Sequence, residues 1–260
     1  MKRDSLFWGS AFILFGVLLY LQVEGIIHNV FQYFWPVALI LVGGWIILGV
    51  YWKPAHSAEE TFSIPLGDAK NVKYKFSHGA GQLSISGGAA VGMALVGTSA
   101  VGMSHQSHLN GDRLEVKVDA GPSFIPFLGP SEGGWSFQLA QDVPVTVSVE
   151  SGASQLDLDL KDVRASHVKL ITGASNSNVT MPARGASILD VEAGVASINI
   201  RVPEKVPARI RVKDGVSAVN VDTARFPRLD SGMYQSPNFD ASVDRVEVNI
   251  EAGLGSVSVK

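Results

Sequence analysis

The sequence predicts a membrane-anchored all-β protein: an N-terminal two-helix transmembrane hairpin, then a single β-solenoid domain with coils of about 21 residues. Three observations predict it. Two uncharged apolar stretches stand close together at the N-terminus. Beyond them, apolar and polar residues alternate over long runs. That alternation recurs in register about glycines spaced 21 residues apart. The composition agrees. Charged residues are 17% and hydrophobic residues 46%, whereas disorder needs high charge and low hydrophobicity. The chain has no cysteine, which removes disulfide frameworks, thiolate nucleophiles and Cys-based zinc sites. A net charge of −3 argues against a nucleic-acid partner.

The first apolar stretch runs from Leu6 to Val23 and the second from Phe34 to Trp52. Eighteen residues rising ~1.5 Å each span ~27 Å, close to a hydrocarbon core. Trp8, Tyr20, Tyr33, Trp35, Tyr51 and Trp52 mark the ends of the stretches, where amphipathic rings favour the headgroup level. Pro36 falls in the first turn of the second helix, where a missing N–H costs little. Lys2, Arg3 and Lys53 flank the pair, while the linker carries only Glu24 and His28. The positive-inside rule then puts both ends, and the domain that follows, in the cytoplasm. A cleaved signal peptide over residues 1–23 is the competing reading, but no small-x-small site follows the apolar run closely. Residues 1–53 are thus read as the hairpin and 54–260 as the β domain, in a multi-pass protein of the cell membrane.

In the β domain, Gly79, Gly152, Gly173, Gly194, Gly215 and Gly253 are the structural corner glycines, the middle four at 21-residue intervals. Five positions before them stand Tyr74, Val147, Val168, Leu189, Ile210 and Val248, and three before, Phe76, Val149, Leu170, Val191, Val212 and Ile250. One after stand Ala80, Ala153, Ala174, Val195, Val216 and Leu254; six after, Ile85, Leu158, Val179, Ile200, Val221 and Val259. The residue two after is always small: Gly81, Ser154, Ser175, Ala196, Ser217 and Gly255. This predicts an apolar strand, a tight corner where glycine supplies backbone freedom, and a second apolar strand. One unit cannot bury its own apolar row, whereas stacked units bury one another's. An antiparallel sandwich is the alternative, but it gives no reason for small residues recurring at a fixed spacing.

Two gaps interrupt the repeat. Gly121 lies 42 residues after Gly79, preceded by Leu114, Val116 and Val118; this reads as a degenerate unit followed by an insertion from about Phe124 to Asp142. Residues 223–240 read as a loop. Residues 86–103, rich in Gly and Ala, read as core strands and loop.

Few residues suggest chemistry. His105 and His108 lie close in H-Q-S-H, but the surrounding sequence reads as a polar loop. Asp157, Asp159 and Asp162 cluster, but the first two alternate with leucines and face outward from a strand. No G-x-S-x-G elbow or P-loop is present. No catalytic, cofactor-binding or metal residue is assigned, no cofactor is expected, and the protein is read as a non-enzyme. Phe124, Ile125, Phe127 and Leu128 stand out as apolar residues in the insertion. They either cap the solenoid or form a contact surface for a partner or the bilayer.

The segment "FWPVALILVGG" resembles the transmembrane region of LiaI/LiaF-type proteins. "VESGASQLDLDL" and "VEAGVASINIRVP" resemble the toast-rack type of cell-envelope-stress domain. The resemblance implies a LiaF-like membrane protein of the bacterial response to envelope stress and cell-wall antibiotics, restraining a sensor kinase. The leading expectation is therefore a non-enzymatic regulatory or sensory membrane protein with the lipid bilayer and a membrane protein such as a sensor kinase as partners, and no nucleic acid. A scaffold that self-associates through open solenoid ends is the alternative. A carbohydrate-active enzyme ranks third, since it needs carboxylates clustered on one face.

Overall fold

The computed structural model describes residues 60–99, 103–120, 134–213 and 218–260, with isolated positions between 16 and 39. The chain divides into two compact units, Met1–His56 and Ser57–Lys260. The second unit contains fourteen strands: β1 (Glu60–Pro65), β2 (Asn71–Gly87), β3 (Met93–Ser99), β4 (Met103–Asn110), β5 (Arg113–Ala120), β6 (Trp135–Leu139), β7 (Val145–Asp159), β8 (Ala165–Thr180), β9 (Ala186–Arg201), β10 (Ala208–Val212), β11 (Ala218–Val221), β12 (Arg228–Asp230), β13 (Met233–Gln235) and β14 (Arg245–Val259).

The long strands β2, β7, β8, β9 and β14 lie side by side and parallel. Each has a leading arm before its corner glycine and a trailing arm after it. Val147 pairs with Val168 and Val168 with Leu189, the 21-residue register read from the sequence. Inward residues of both arms form one core: Val147, Val149, Leu156, Leu158, Val168, Leu170, Leu189 and Val191 are all buried. Burying such a side chain contributes roughly 1.5–3 kcal/mol, and each coil obtains it only from its neighbours.

At the corners the glycines stack. A Cβ on Gly152 would lie 2.6 Å from the Gly79 carbonyl oxygen, one on Gly173 2.8 Å from that of Gly152, and one on Gly194 2.7 Å from that of Gly173. These glycines do not have left-handed backbone. They are required by the close approach of the coil beneath, and conformational freedom is not their role. Two residues further on, Gly255 does take a left-handed φ of 129°, where a Cβ would collide with the Ala196 carbonyl. Gly215 lies outside the described residues.

The order of coils in space departs from the order in sequence. The C-terminal strand β14 sits between β9 and the coil made by β10 and β11. The degenerate unit is a coil of β5 and β6, with Val116 beside Tyr74 and Val118 beside Phe76. The insertion therefore ends before Trp135. Phe137 and Leu139 are fully buried in a core strand whose short alternation the sequence reading passed over. The loops expected around His105 and within 223–240 contain β4 and the β12–β13 hairpin. Gly111 (φ 61°) and Gly232 (φ 70°) supply the turns.

The membrane-anchored fold class is corrected. Among the described residues no helix is long and apolar enough to cross a membrane, and the fold is all-β, built on one fourteen-stranded sheet. The stretches expected as a transmembrane hairpin, 6–23 and 34–52, lie mostly outside the described residues. Helical backbone is described at Gly16–Val17, Leu19–Tyr20 and Gln22–Val23, then a turn at Gly25 with φ 74°. Apolar length is one condition for a span, and a continuous helix of about 20 residues is the other, which the described residues do not contain.

Candidate interaction surfaces

The outward residues of the two arms make two faces of opposite chemistry. On the leading face, charged columns interlock. Lys75 pairs with Glu150 at 2.8 Å, His167 Nε2 meets Asp190 Oδ2 at 2.9 Å, and Lys169 pairs with Glu192 at 2.9 Å. Lys213 pairs with Glu251, and Arg211 with Glu247. Asn249 Nδ2 donates to Asp190 Oδ1 at 2.9 Å. Hydrogen bonding from Lys169 to the Glu192 carboxylate holds the ammonium pKa above its ordinary value, and Glu251 does the same for Lys213. These charges are satisfied by one another along the sheet.

The trailing face carries few charges. One column runs Ser136, Ser84, Asp157, Asn178, Asn199, Ser258 and Asn220 across successive strands. The next runs Gln82, Gln155, Asn176, Ser197 and Ser256. Asn199 Nδ2 donates to Asn178 Oδ1 at 3.3 Å, and Ser256 Oγ to Ser197 Oγ at 3.3 Å. An Asn side chain offers two donors and an acceptor with two lone pairs, so one such bond leaves capacity for an incoming group. The sequence reading passed over this face because Ser, Asn and Gln carry no chemical signature singly. Their recurrence five residues after each corner glycine was the signal.

Several sequence-predicted positions find different places. Phe124, Ile125, Phe127 and Leu128 lie outside the described residues. The column one after the glycine faces outward, with Val195 55% and Leu254 60% exposed. His105 and His108 stand on β4, and His105 stacks on Phe62 with ring centroids 4.7 Å apart. Asp157 and Asp159 are exposed on β7, outward as their alternation with leucines predicts.

Beneath the corner of β2 sits His78, 8% exposed and packed against Trp135 at 4.6 Å between centroids. Neither ring nitrogen has a hydrogen-bond partner among the described residues. Burial pushes its pKa below the ordinary 6.5. Further along this interior corner, Ser154 Oγ donates to Ser151 Oγ at 2.8 Å and Ser175 Oγ to Thr172 Oγ1 at 3.0 Å. Tyr74 is fully buried, and its hydroxyl donates to the Ala94 carbonyl. Burial raises the Tyr74 pKa above the ordinary tyrosine value. At the far ends of the arms the connections between coils border an open groove of about 990 Å³, lined by Asp142, Lys161, Asp162, Arg164 and Arg184 among others.

Residues 53–201, more than half of the chain, match the family model described as the N-terminal domain of toast_rack, DUF2154. No curated protein matches the sequence. Among solved structures, a candidate cell adhesion protein of Clostridium sporogenes ATCC 15579 is similar with a TM-score of 0.70 and 20% identity, over 78% of this chain and 98% of that one. A candidate adhesin of Bacteroides fragilis NCTC 9343 is matched at 8% identity over 78% of this chain and 97% of that one, with a TM-score of 0.19. The first likeness is one of fold alone, and the second carries no argument.

Proposed function

The chain belongs to the toast-rack N-terminal domain family, DUF2154, and from that premise we propose that it is a non-catalytic binding protein whose trailing face holds a protein partner. The observation that carries this reading is the contrast between the faces. The leading face spends its charges on internal pairs, while the trailing face presents regular columns of amides and hydroxyls. Partner and protein exchange hydrogen bonds there chiefly between uncharged groups, and Asp157, which stands in the same column, asks the partner for a donor. Adhesion, the role suggested for the C. sporogenes protein, is likewise a binding function and not a catalytic one.

The finer reading is regulatory. The partner is a membrane protein of the cell-envelope stress response, a sensor kinase foremost, and the β domain meets it on the cytoplasmic side of the cell membrane. A reporter fused after Lys260 reads that side directly. A signal from outside the cell contradicts the regulatory reading and favours an adhesive one. For the binding function, a photo-crosslinking residue is placed at Asn178 or at Lys169 in cells under cell-wall stress. The expected result is a discrete adduct from position 178 and none from 169. Adducts from 169 alone contradict the assignment of the face.

A further inference from the structure

We infer that β11 is a docking edge for one extended segment of a partner protein, apolar at alternate positions and ending in a basic residue, which pairs with β11 and completes the core at that end of the stack. The inference does not rest on the reading of the trailing face, because the contact is made by a strand edge and not by the Asn and Ser columns. It begins with a step. Beyond β14 the leading arms continue through β10, β13 and β12, but the trailing arms stop at β11. At ~4.8 Å between strands, the two missing trailing strands leave a recess ~10 Å deep beside β11.

The backbone of β11 is open toward this recess. The Asp222 N–H donates to the Val259 carbonyl at 3.0 Å. Backbone groups of successive residues alternate between the two sides of a strand, so those of Val219 and Val221 point away from β14. Among the described residues they have no backbone partner. Natural edges are blunted by charges, proline or bulges. β12, which ends the other half of the sheet, carries Arg228 and Asp230 and a register shift. β11 reads Ala-Val-Asn-Val and pairs with β14 without a shift.

The core is unfinished at the same place. Val219 occupies the column of Leu156 and Ile198, which are 0% and 1% exposed, yet is itself 40% exposed. Tyr234 on β13 pairs with fully buried Ile210 but is only half-buried, because no trailing strand lies opposite it. An apolar side chain on an added strand closes the Val219 column. Just past β11, the Asp222 carboxylate accepts the Ala224 N–H at 3.1 Å and makes no ion pair among the described residues. A basic side chain on the added strand reaches it. The occupant therefore reads apolar, small polar, apolar, basic. Ile198-Asn199-Ile200-Arg201 of β9 is such a sequence, and its first three residues stand in the columns of Val219, Asn220 and Val221. The sheet edge of a second copy does not fit. β1 projects one strand past β4 and carries Glu60, Pro65 and a register shift, and bringing it to β11 drives β4 into β12. A single extended segment has no such flank.

The test titrates the full-length protein into a fluorescein-labelled synthetic peptide that copies residues 196–202, Ala-Ser-Ile-Asn-Ile-Arg-Val. Saturable binding is expected. It should weaken about tenfold or more when both isoleucines of the peptide are replaced by serine. It should weaken about tenfold for Val219→Pro, which removes an edge N–H and no native hydrogen bond. No saturable binding, or equal binding of the serine peptide, overturns the inference. Asn178→Ala is expected to bind the peptide as the unsubstituted protein does; a loss there moves the peptide to the trailing face and overturns the assignment of the edge. Hydrogen exchange of the unsubstituted protein is the second measurement and depends on no variant. The Val219 and Val221 amides are expected to exchange freely alone and to be protected by saturating peptide. Protection before the peptide is added shows the edge already covered, by a second copy or by the chain itself, and overturns the inference. Exchange that saturating peptide leaves unchanged overturns it equally.

Discussion

The two arms of each coil share one core and one register, yet their outer faces differ. On the leading face a lysine on one strand meets a glutamate on the next, as Lys75 meets Glu150 and Lys169 meets Glu192. On the trailing face Asn178 stands beside Asn199 and Ser197 beside Ser256. Both arms obtain their stability from the inward residues. The outward residues are therefore free to differ, and the difference separates a face crossed by charge pairs from one with hydrogen-bonding capacity to offer. Stability should respond to changes at the corners and in the core, and recognition to changes on the trailing face.

The largest effect is expected where the two arms meet. Gly173→Val places a side chain against the Gly152 backbone, 2.8 Å away at the Cβ, and nothing in that backbone can yield. A loss of about 4 kcal/mol, or failure to fold, is expected in denaturant titration; a near-neutral result breaks the stacked-glycine account. Next come the core positions, one per arm. Leu158→Ala, in the trailing arm, should cost about 3 kcal/mol. Val147→Ala, in the leading arm, should cost somewhat less, and both should melt in a single transition. Separate transitions would show that the arms do not share a core.

His78 distinguishes the β2 corner from the others. Its folded pKa lies below the ordinary 6.5, so the unfolded state binds the proton more readily. Its contribution is therefore unaffected above pH ~6.5, and stability is lost as pH falls below that value. His78→Leu should flatten this acid limb in thermal melts from pH ~7 to 5; an unchanged limb assigns the dependence elsewhere. Lys75→Ala on the leading face should change stability by at most about 0.5 kcal/mol, an effect that shrinks in salt. Asn178→Ala should move melting least of all while lowering partner capture.

Much of the stack was legible because its physics is local and periodic. The columns of Val147, Val168 and Leu189 follow from alternation, and the glycine spacing fixed which residues lie side by side. The column one after the glycine was misread, because apolar identity alone does not say which side of a corner a residue occupies: Val195 and Leu254 face solvent. The column four after was overlooked because Ser177, fully buried with its hydroxyl bonded to Ser175, interrupts Leu83, Leu156 and Ile198. The place of β14 could not be read, since every coil carries the same register and a repeat does not record stacking order. The Asn110-Gly111 pair, a hairpin signal, was present and passed over. On the trailing face each residue is ordinary, and only the assembled column has a property.

The central claim, that recognition belongs to the neutral face, is tested most directly by the salt dependence of the partner complex. Hydrogen bonds between uncharged groups are little screened, whereas a contact made through charged columns weakens as the Debye length falls from ~10 Å at 0.1 M to ~3 Å at 1 M. The account predicts that the fraction of partner retained by the full-length protein stays level across that range. A steep decline with added salt would assign the partner to the leading face and contradict it.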